Sequence, residues 1–312
     1  MKKIHLISML IGLLAFSTIS KADLKVVTSI KPIHSLASYI MDGVGSPGLI
    51  VDGYNSPHSF QLKPSHAKML EQADIIFWIG EDLENFLEKP LATIAKKAEK
   101  IELLEIKGIK KLKFRERNIF EEHEGHDDHG DDAKKEEHDD HEGHGHGEYD
   151  PHIWLDPINA KIILNEITEH LIENDSKNAS TYKSNLAKAL AKIDKLIIDV
   201  ITETNTDLSY VVFHDAYQYY ENRFNVNILG AMTVNPDVMP GAEQIHEIHE
   251  VIEHDNVSCI LSEPQFNPDI IKSIAKDTNV KTGVLDPLGA NLKPGKDLYF
   301  DLIRNMSASF NC

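Results

Sequence analysis

The chain has 312 residues, 41% of them hydrophobic and 26% charged, with a formal net charge of −18. That length accommodates two domains of ordinary size. The acidic balance argues against nucleic acid as a partner, because phosphate contacts need clustered Lys and Arg. A cationic ligand is the natural counterpart, although an acidic run is more often a solvated segment than a binding surface.

The chain opens with Lys2 and Lys3, an apolar run over 4–16, and the small-residue site Ser20-Lys21-Ala22. This is the pattern of an export signal, so residues 1–22 are expected to be removed after Ala22. The apolar run is too short for a permanent anchor. No cysteine follows it to carry a lipid, and no later stretch is apolar enough to cross a bilayer. A periplasmic or secreted location is expected.

From Asp23 onward, strand and helix patterns alternate. Strands are expected at 24–28, 48–51, 73–79 and 100–104, and helices at 32–41, 64–72, 83–97 and 157–173. The run 73–79 is continuously apolar, which suits a strand buried on both faces. Pro32 and Pro64 stand where a first helical turn tolerates proline. Over 177–204, Tyr182, Leu186, Leu190, Ile193, Ile197 and Val200 recur at three to four residues with no Gly or Pro between them. That spacing predicts one long amphipathic helix. The second half repeats the alternation, with strands at 210–213, 225–229, 257–261 and 280–285. Its helices are expected at 215–222, 241–254, 268–278 and 297–309. The expected fold class is α/β: two lobes, each a four-stranded, mostly parallel sheet flanked by helices, joined by one long rigid helix. The N-terminal metal-binding lobe would span 23–176, the linker helix 177–205 and the C-terminal metal-binding lobe 206–312.

Inside the first lobe, 121–149 is a low-complexity tract. From Glu121 to Asp150 there are 14 acids against two lysines, a net −12. The tract holds His123, His126, His129, His138, His141, His144 and His146. It is expected to be disordered and to capture metal weakly through neutral imidazoles, which fade as ligands below about pH 6. The alternative is a solvated insertion without effect on any main site. The two cysteines, Cys259 and Cys312, form an isolated pair in an exported chain, which points to a disulfide. Closing a loop of about 50 residues is worth on the order of 4 kcal/mol in the chain-entropy model. Two unpaired thiols are the alternative.

Parallel sheets gather ligands beyond the carboxyl ends of their strands. Four residues fall at such positions: His58 after the second strand, His152 after the fourth, His214 at the end of the fifth and Asp286 at the end of the eighth. Two come from each lobe, so a cleft between the lobes can collect them. Three imidazoles and one carboxylate suit Zn²⁺. His246 and His249, three apart on one helix, and His254 read as a wet face, and His34 as a structural residue. Glu263, beyond a strand end, is a candidate to orient a ligand histidine.

Several segments carry a resemblance over essentially the whole mature chain. They are Ser29-Ile30-Lys31-Pro32-Ile33-His34-Ser35-Leu36, Pro57-His58 with Leu62-Lys63-Pro64-Ser65, Ala73-Asp74 and Asp150-Pro151-His152-Ile153-Trp154-Leu155-Asp156. With them go Phe213-His214-Asp215-Ala216-Tyr217, Ser262-Glu263-Pro264-Gln265-Phe266 and Leu285-Asp286-Pro287-Leu288-Gly289. The chain resembles the cluster A-I metal-binding proteins of ABC transporters and, within them, the periplasmic zinc-binding ZnuA family. The cysteine pair and the histidine loop match the zinc-binding branch. The resemblance implies a solute-binding protein and not an enzyme. It would take Zn²⁺ in the periplasm and deliver it to a membrane permease, and through it to a cytoplasmic ATPase, acting as a monomer. Carried over, the ligands are His58, His152 and His214. Asp286 matches the fourth, carboxylate ligand of relatives, with water as the competitor. Pro57 precedes His58, which removes the Glu that some zinc-specific members use there, and His66 departs from the Pro-Ser-Asp pattern of relatives. Manganese-handling relatives tend to carry Glu at the position of His214. A manganese-binding transport protein or adhesin is the first alternative. A periplasmic zinc hydrolase is the second, and the absence of a His-Glu-x-x-His helix counts against it.

Overall fold

The structure is a computed structural model. It describes residues 23–115, 117–119, 147–234, 236, 238 and 240–312. The expected export signal and the seven loop histidines lie outside the described residues.

In the first half β1 (Val26–Ile30), β2 (Gly48–Val51), β3 (Ile75–Trp78) and β4 (Glu99–Glu102) make a parallel sheet in the order β2-β1-β3-β4. In the second half β5 (Ser209–His214), β6 (Asn227–Thr233), β7 (Cys259–Ser262) and β8 (Lys281–Val284) repeat it as β6-β5-β7-β8, again parallel. The central strands are buried at every residue, including the polar Thr28 and Ser29 of β1 and Ser209 and His214 of β5. The connecting helices are α1 (Lys31–Ile40), α2 (Pro64–Glu71), α3 (Glu81–Thr93), α4 (Pro157–Asn174), α5 (Ala179–Glu203), α6 (Gln218–Phe224), α7 (Ala242–His254), α8 (Asp269–Thr278) and α9 (Leu298–Ser309). Among the described residues no helix is long and apolar enough to cross a membrane.

Several boundaries differ from expectation, and those of β6, α6 and β8 bear on the site. β6 runs on to Thr233 rather than stopping near 229. Gly230, just past the expected end of the strand, is a point of close approach. Ile119 bridges to it in antiparallel fashion, and an added Cβ would meet the carbonyl oxygen of Asn118 at 2.7 Å. α6 starts at Gln218 and not at 215, because Asp215 and Ala216 turn, with Ala216 N donating to His214 O at 2.9 Å. β8 ends at Val284, which puts Asp286 in the turn beyond it.

The long helix is more than a connector. α5 packs on α1, α4 and α9, and α9 itself returns to lie on α1. Its buried stripe is Tyr182, Asn185, Ala189, Ile193, Leu196 and Val200. Asn185 is polar, yet its Nδ2 donates to the carbonyls of Ile40 and Asp42 at 3.0 and 2.9 Å, satisfying the end of α1. One hydrophobic cluster runs through both halves, joining Ile30, Trp154, Tyr210, Leu285 and Tyr299. Polar ties reinforce it. Buried Lys31 donates to Ala290 O and Leu292 O at 3.0 and 2.7 Å, and Arg223 grips Asp156 at 2.7 and 2.8 Å. A disulfide joins Cys259 on β7 to Cys312, fastening the chain's last residue to the second sheet.

Candidate metal centre

His214 is the last residue of β5, the strand on whose two sides β6 and β7 lie. At that point the strand order reverses and the loops diverge, which leaves a crevice at the carboxyl edge. His58 sits in the loop between β2 and α2. His152 sits just before a 3-10 turn, Ile153–Leu155, that leads into α4. Trp154, in that turn, donates from Nε1 to Pro287 O of the other half at 2.9 Å, so the turn cannot drift.

The three imidazoles meet. Ring centroids lie 5.6 Å apart for His58–His152, 5.7 Å for His58–His214 and 5.3 Å for His152–His214. One ring nitrogen from each lies within 4.8 Å of the other two. His152 and His214 are 3% exposed, and His58 is half-buried at the mouth. The cavity between them, about 10 Å³, is lined also by Trp154, Glu263, Phe266, Pro287 and Leu288 and has room for one ion or one water.

Two carboxylates fix how the rings point. His152 Nδ1 lies 2.6 Å from Asp150 Oδ1, which also accepts from the His152 amide at 2.9 Å. His214 Nδ1 lies 2.6 Å from Glu263 Oε1. With Nδ1–H donating in both, each Nε2 presents its lone pair to the cavity. These two Nε2 atoms are 3.4 Å apart. Facing lone pairs repel unless a cation lies between them. A tetrahedral zinc with bonds of ~2.0–2.1 Å separates its nitrogens by about 3.3 Å. The donor set therefore fits such an ion.

The electrostatics of the two buried rings differ. Burial, helped by the neighbouring His214, holds His152 well below the ordinary histidine range, so its lone pair is free at neutral pH. For His214 burial pulls the other way from Glu263, and the charge and hydrogen bond of Glu263, with Asp215 and Asp150, leave it net raised. Burial pushes Asp150 and Asp215 up to about 7 despite the nearby Arg115. Arg115 bonds Asp215 at 3.0 Å and Glu221 at 2.6 Å, supplying the cation beneath this acidic layer.

Asp286 is not brought into the group. Its Oδ1 accepts from Gln265 Nε2 at 2.9 Å and from the amides of Leu288 and Gly289 at 3.0 Å, and its Oδ2 accepts from Ala290 N at 2.5 Å. Three donors crowd Oδ1 and one reaches Oδ2, so the carboxylate is held by its own turn and Gln265, apart from the three converging imidazoles. Glu263, beyond a strand end, holds the ring of His214, one of the three converging histidines. The matching role of Asp150 was missed, although it stands only two residues before His152. Arg115 left no signal in the sequence. Elsewhere, His34 is buried with Nδ1 3.5 Å from Ser38 Oγ, and His246 and His254 are exposed on α7 while His249 is half-buried. Among the described residues none of these four joins a group of three converging ligand atoms. His66 accepts from Lys63 N at 3.2 Å and so caps α2.

Comparison with known proteins follows the same line. The family model ZnuA, described as zinc-uptake complex component A, periplasmic, matches residues 26–311. The high-affinity zinc uptake system protein ZnuA of Brucella abortus is 44% identical over 299 residues, covering 91% of this chain and 90% of that one. The protein of the same description from Yersinia pestis is 37% identical over 303 residues, covering 96% and 94%. A laminin-binding adhesin from Streptococcus agalactiae, 22% identical, shares the fold with a TM-score of 0.73 over 92% of this chain and 98% of its own. With three converging imidazoles at the junction of two parallel sheets, and a family match running from the first strand almost to the last residue, this chain belongs to the ZnuA family of periplasmic zinc-uptake components.

Proposed function

We propose that this chain is the zinc-capturing component of an ABC importer, binding Zn²⁺ in the periplasm and passing it to a membrane permease. His58, His152 and His214 are the protein ligands in this reading, and water takes the fourth position. The observation that carries it is the pair of facing Nε2 atoms 3.4 Å apart, each ring braced from behind by a carboxylate. Three nitrogens favour Zn²⁺ over Mn²⁺, which prefers a harder, oxygen-rich set. The engagement of Asp286 by four donors argues in the same direction.

Loading and release proceed by local movement of the loop bearing His58, the least buried ligand. The shared core and the ties from Lys31, Trp154 and Arg223 oppose a wide hinge. The lobes divide at 177–205, the protein works as a monomer, and the histidines of 121–149 collect zinc weakly for the main centre. The test is a competition titration with Zn²⁺, Mn²⁺ and Cu²⁺, repeated on His58→Ala. The reading requires Zn²⁺ to displace Mn²⁺, and His58→Ala to lose affinity by at least a hundredfold. A preference for Mn²⁺ would overturn it.

A further inference from the structure

A second group of converging ligand atoms lies at the other end of α4. Glu99 opens β4, and His170 and Glu173 occupy the last turns of α4. His170 Nδ1 is 2.9 Å from Glu99 Oε1 and 3.9 Å from Glu173 Oε2. All three atoms lie within 4.8 Å of one another.

The geometry is that of donors aimed at a common point. His170 Nδ1 is shut off from solvent yet makes no hydrogen bond. Its contact with Glu99 is short enough for one but lies off the ring N–H direction. Atoms that share an ion are held about 3 Å apart and point at a third position instead of at each other. The other ring nitrogen, Nε2, is bonded to Glu166 Oε1 at 3.2 Å. Donation there leaves Nδ1 with the lone pair. This is the bracing seen at His152 and His214, with the two nitrogens exchanged. Glu99 is held in turn, its Oε2 accepting from Asn174 Nδ2 at 2.9 Å. Three carboxylates crowd one imidazole at the negative end of a helix dipole, an arrangement that a cation relieves.

We propose that Glu99, His170 and Glu173 form a second site, for a divalent transition cation. One nitrogen and two carboxylate oxygens suit Zn²⁺ and its neighbours in the series. Thirteen residues of helix separate His170 from Pro157, about 20 Å at 1.5 Å per residue. The site is thus remote from the main centre and does not depend on the function proposed above. Its ion staples the start of β4 to the end of α4.

The test is a Zn²⁺ titration of the full chain lacking only its expected export signal, followed through the ring ¹⁵N resonances of His170, assigned with His170→Gln. The loop histidines compete for zinc equally in wild type and variant and do not obscure the readout, because a single ring is observed. Beyond the first equivalent of Zn²⁺, Nδ1 of His170 moves to a metal-bound shift while Nε2 stays protonated. Glu173→Gln weakens that transition at least tenfold. The Glu173 side chain is 71% exposed, so the substitution leaves the fold in place. A His170 Nδ1 that shows no metal-bound shift through added Zn²⁺, or a Glu173→Gln titration that overlays the wild type, overturns the site.

Discussion

Glu263→Gln isolates the contribution of a residue that is not itself a ligand. Glu263 Oε1 holds His214 Nδ1 at 2.6 Å, and the side chains are 1% and 4% exposed, so water does little to screen the pair. Gln keeps the shape and a carbonyl oxygen that accepts from Nδ1–H. It removes the negative charge that makes the imidazole a better donor to the metal. Losing such a partner costs a ligand histidine roughly 10–100-fold in metal affinity, or about 1.4–2.7 kcal/mol. Zinc affinity is to be measured by competition with a chromophoric chelator at pH 7.5, at low and high salt. The loss should be the same at both salts, since the pair is buried. A dissociation constant within twofold of the wild type would refute the argument that the carboxylate tunes His214. A loss that disappears in high salt would refute its confinement to a dry pair.

Three further outcomes are expected. Glu84 is fully buried, and burial raises its pKa from 4.5 to about 7, outweighing the amides of Ile79 and Gly80 that donate to its Oε2. The folded chain then keeps a proton that the unfolded chain releases, so stability falls as pH rises from 4.5 to about 7, by at most roughly 3 kcal/mol. Glu84→Gln should raise stability in urea melts at pH 8 and not at pH 4.5, and an equal gain at both would sink the assignment. Cys312→Ser, which opens the disulfide to Cys259, should cost about 2–4 kcal/mol in urea melts while leaving zinc affinity unchanged, because the link is remote from the three imidazoles. Replacing 121–146 by a short Gly/Ser linker should reduce the number of weakly held zinc ions and leave the tight site intact. An unchanged stoichiometry would remove the capture role of the loop.

Much of the fold is legible because its driving forces are local. A strand buried on both faces reads as an apolar run where it is uninterrupted, as over 75–78, and the α5 spacing marks the inward side, although Leu186, Leu190 and Ile197 are only half-buried there. The three histidines are legible for a related reason. A parallel sheet puts every strand-to-helix loop at one edge, so polar residues after several strands are already near one another before any contact is known. The limits lie where a side chain's partner is distant or its loop conformation decides. Gly230 lies just past the expected end of its strand until Asn118 is seen against it, and Asn185 looks out of place on a core stripe until the end of α1 is seen beneath it.

By itself the sequence determined the two β/α lobes, the long helix between them, the cysteine pair and the convergence of His58, His152 and His214, since each follows from periodicity, topology or residue chemistry. Only the tertiary contacts show which carboxylates reach which histidines. Asp286 follows a strand as a ligand should, but its turn folds three backbone amides and Gln265 onto it and holds it apart from the three imidazoles. Glu99 and His170 stand far apart in the chain, and only the packing of α4 along the first sheet sets their atoms 2.9 Å apart. The physical reason is that a carboxylate's role depends on which donors reach it first, and that is a property of distances between segments.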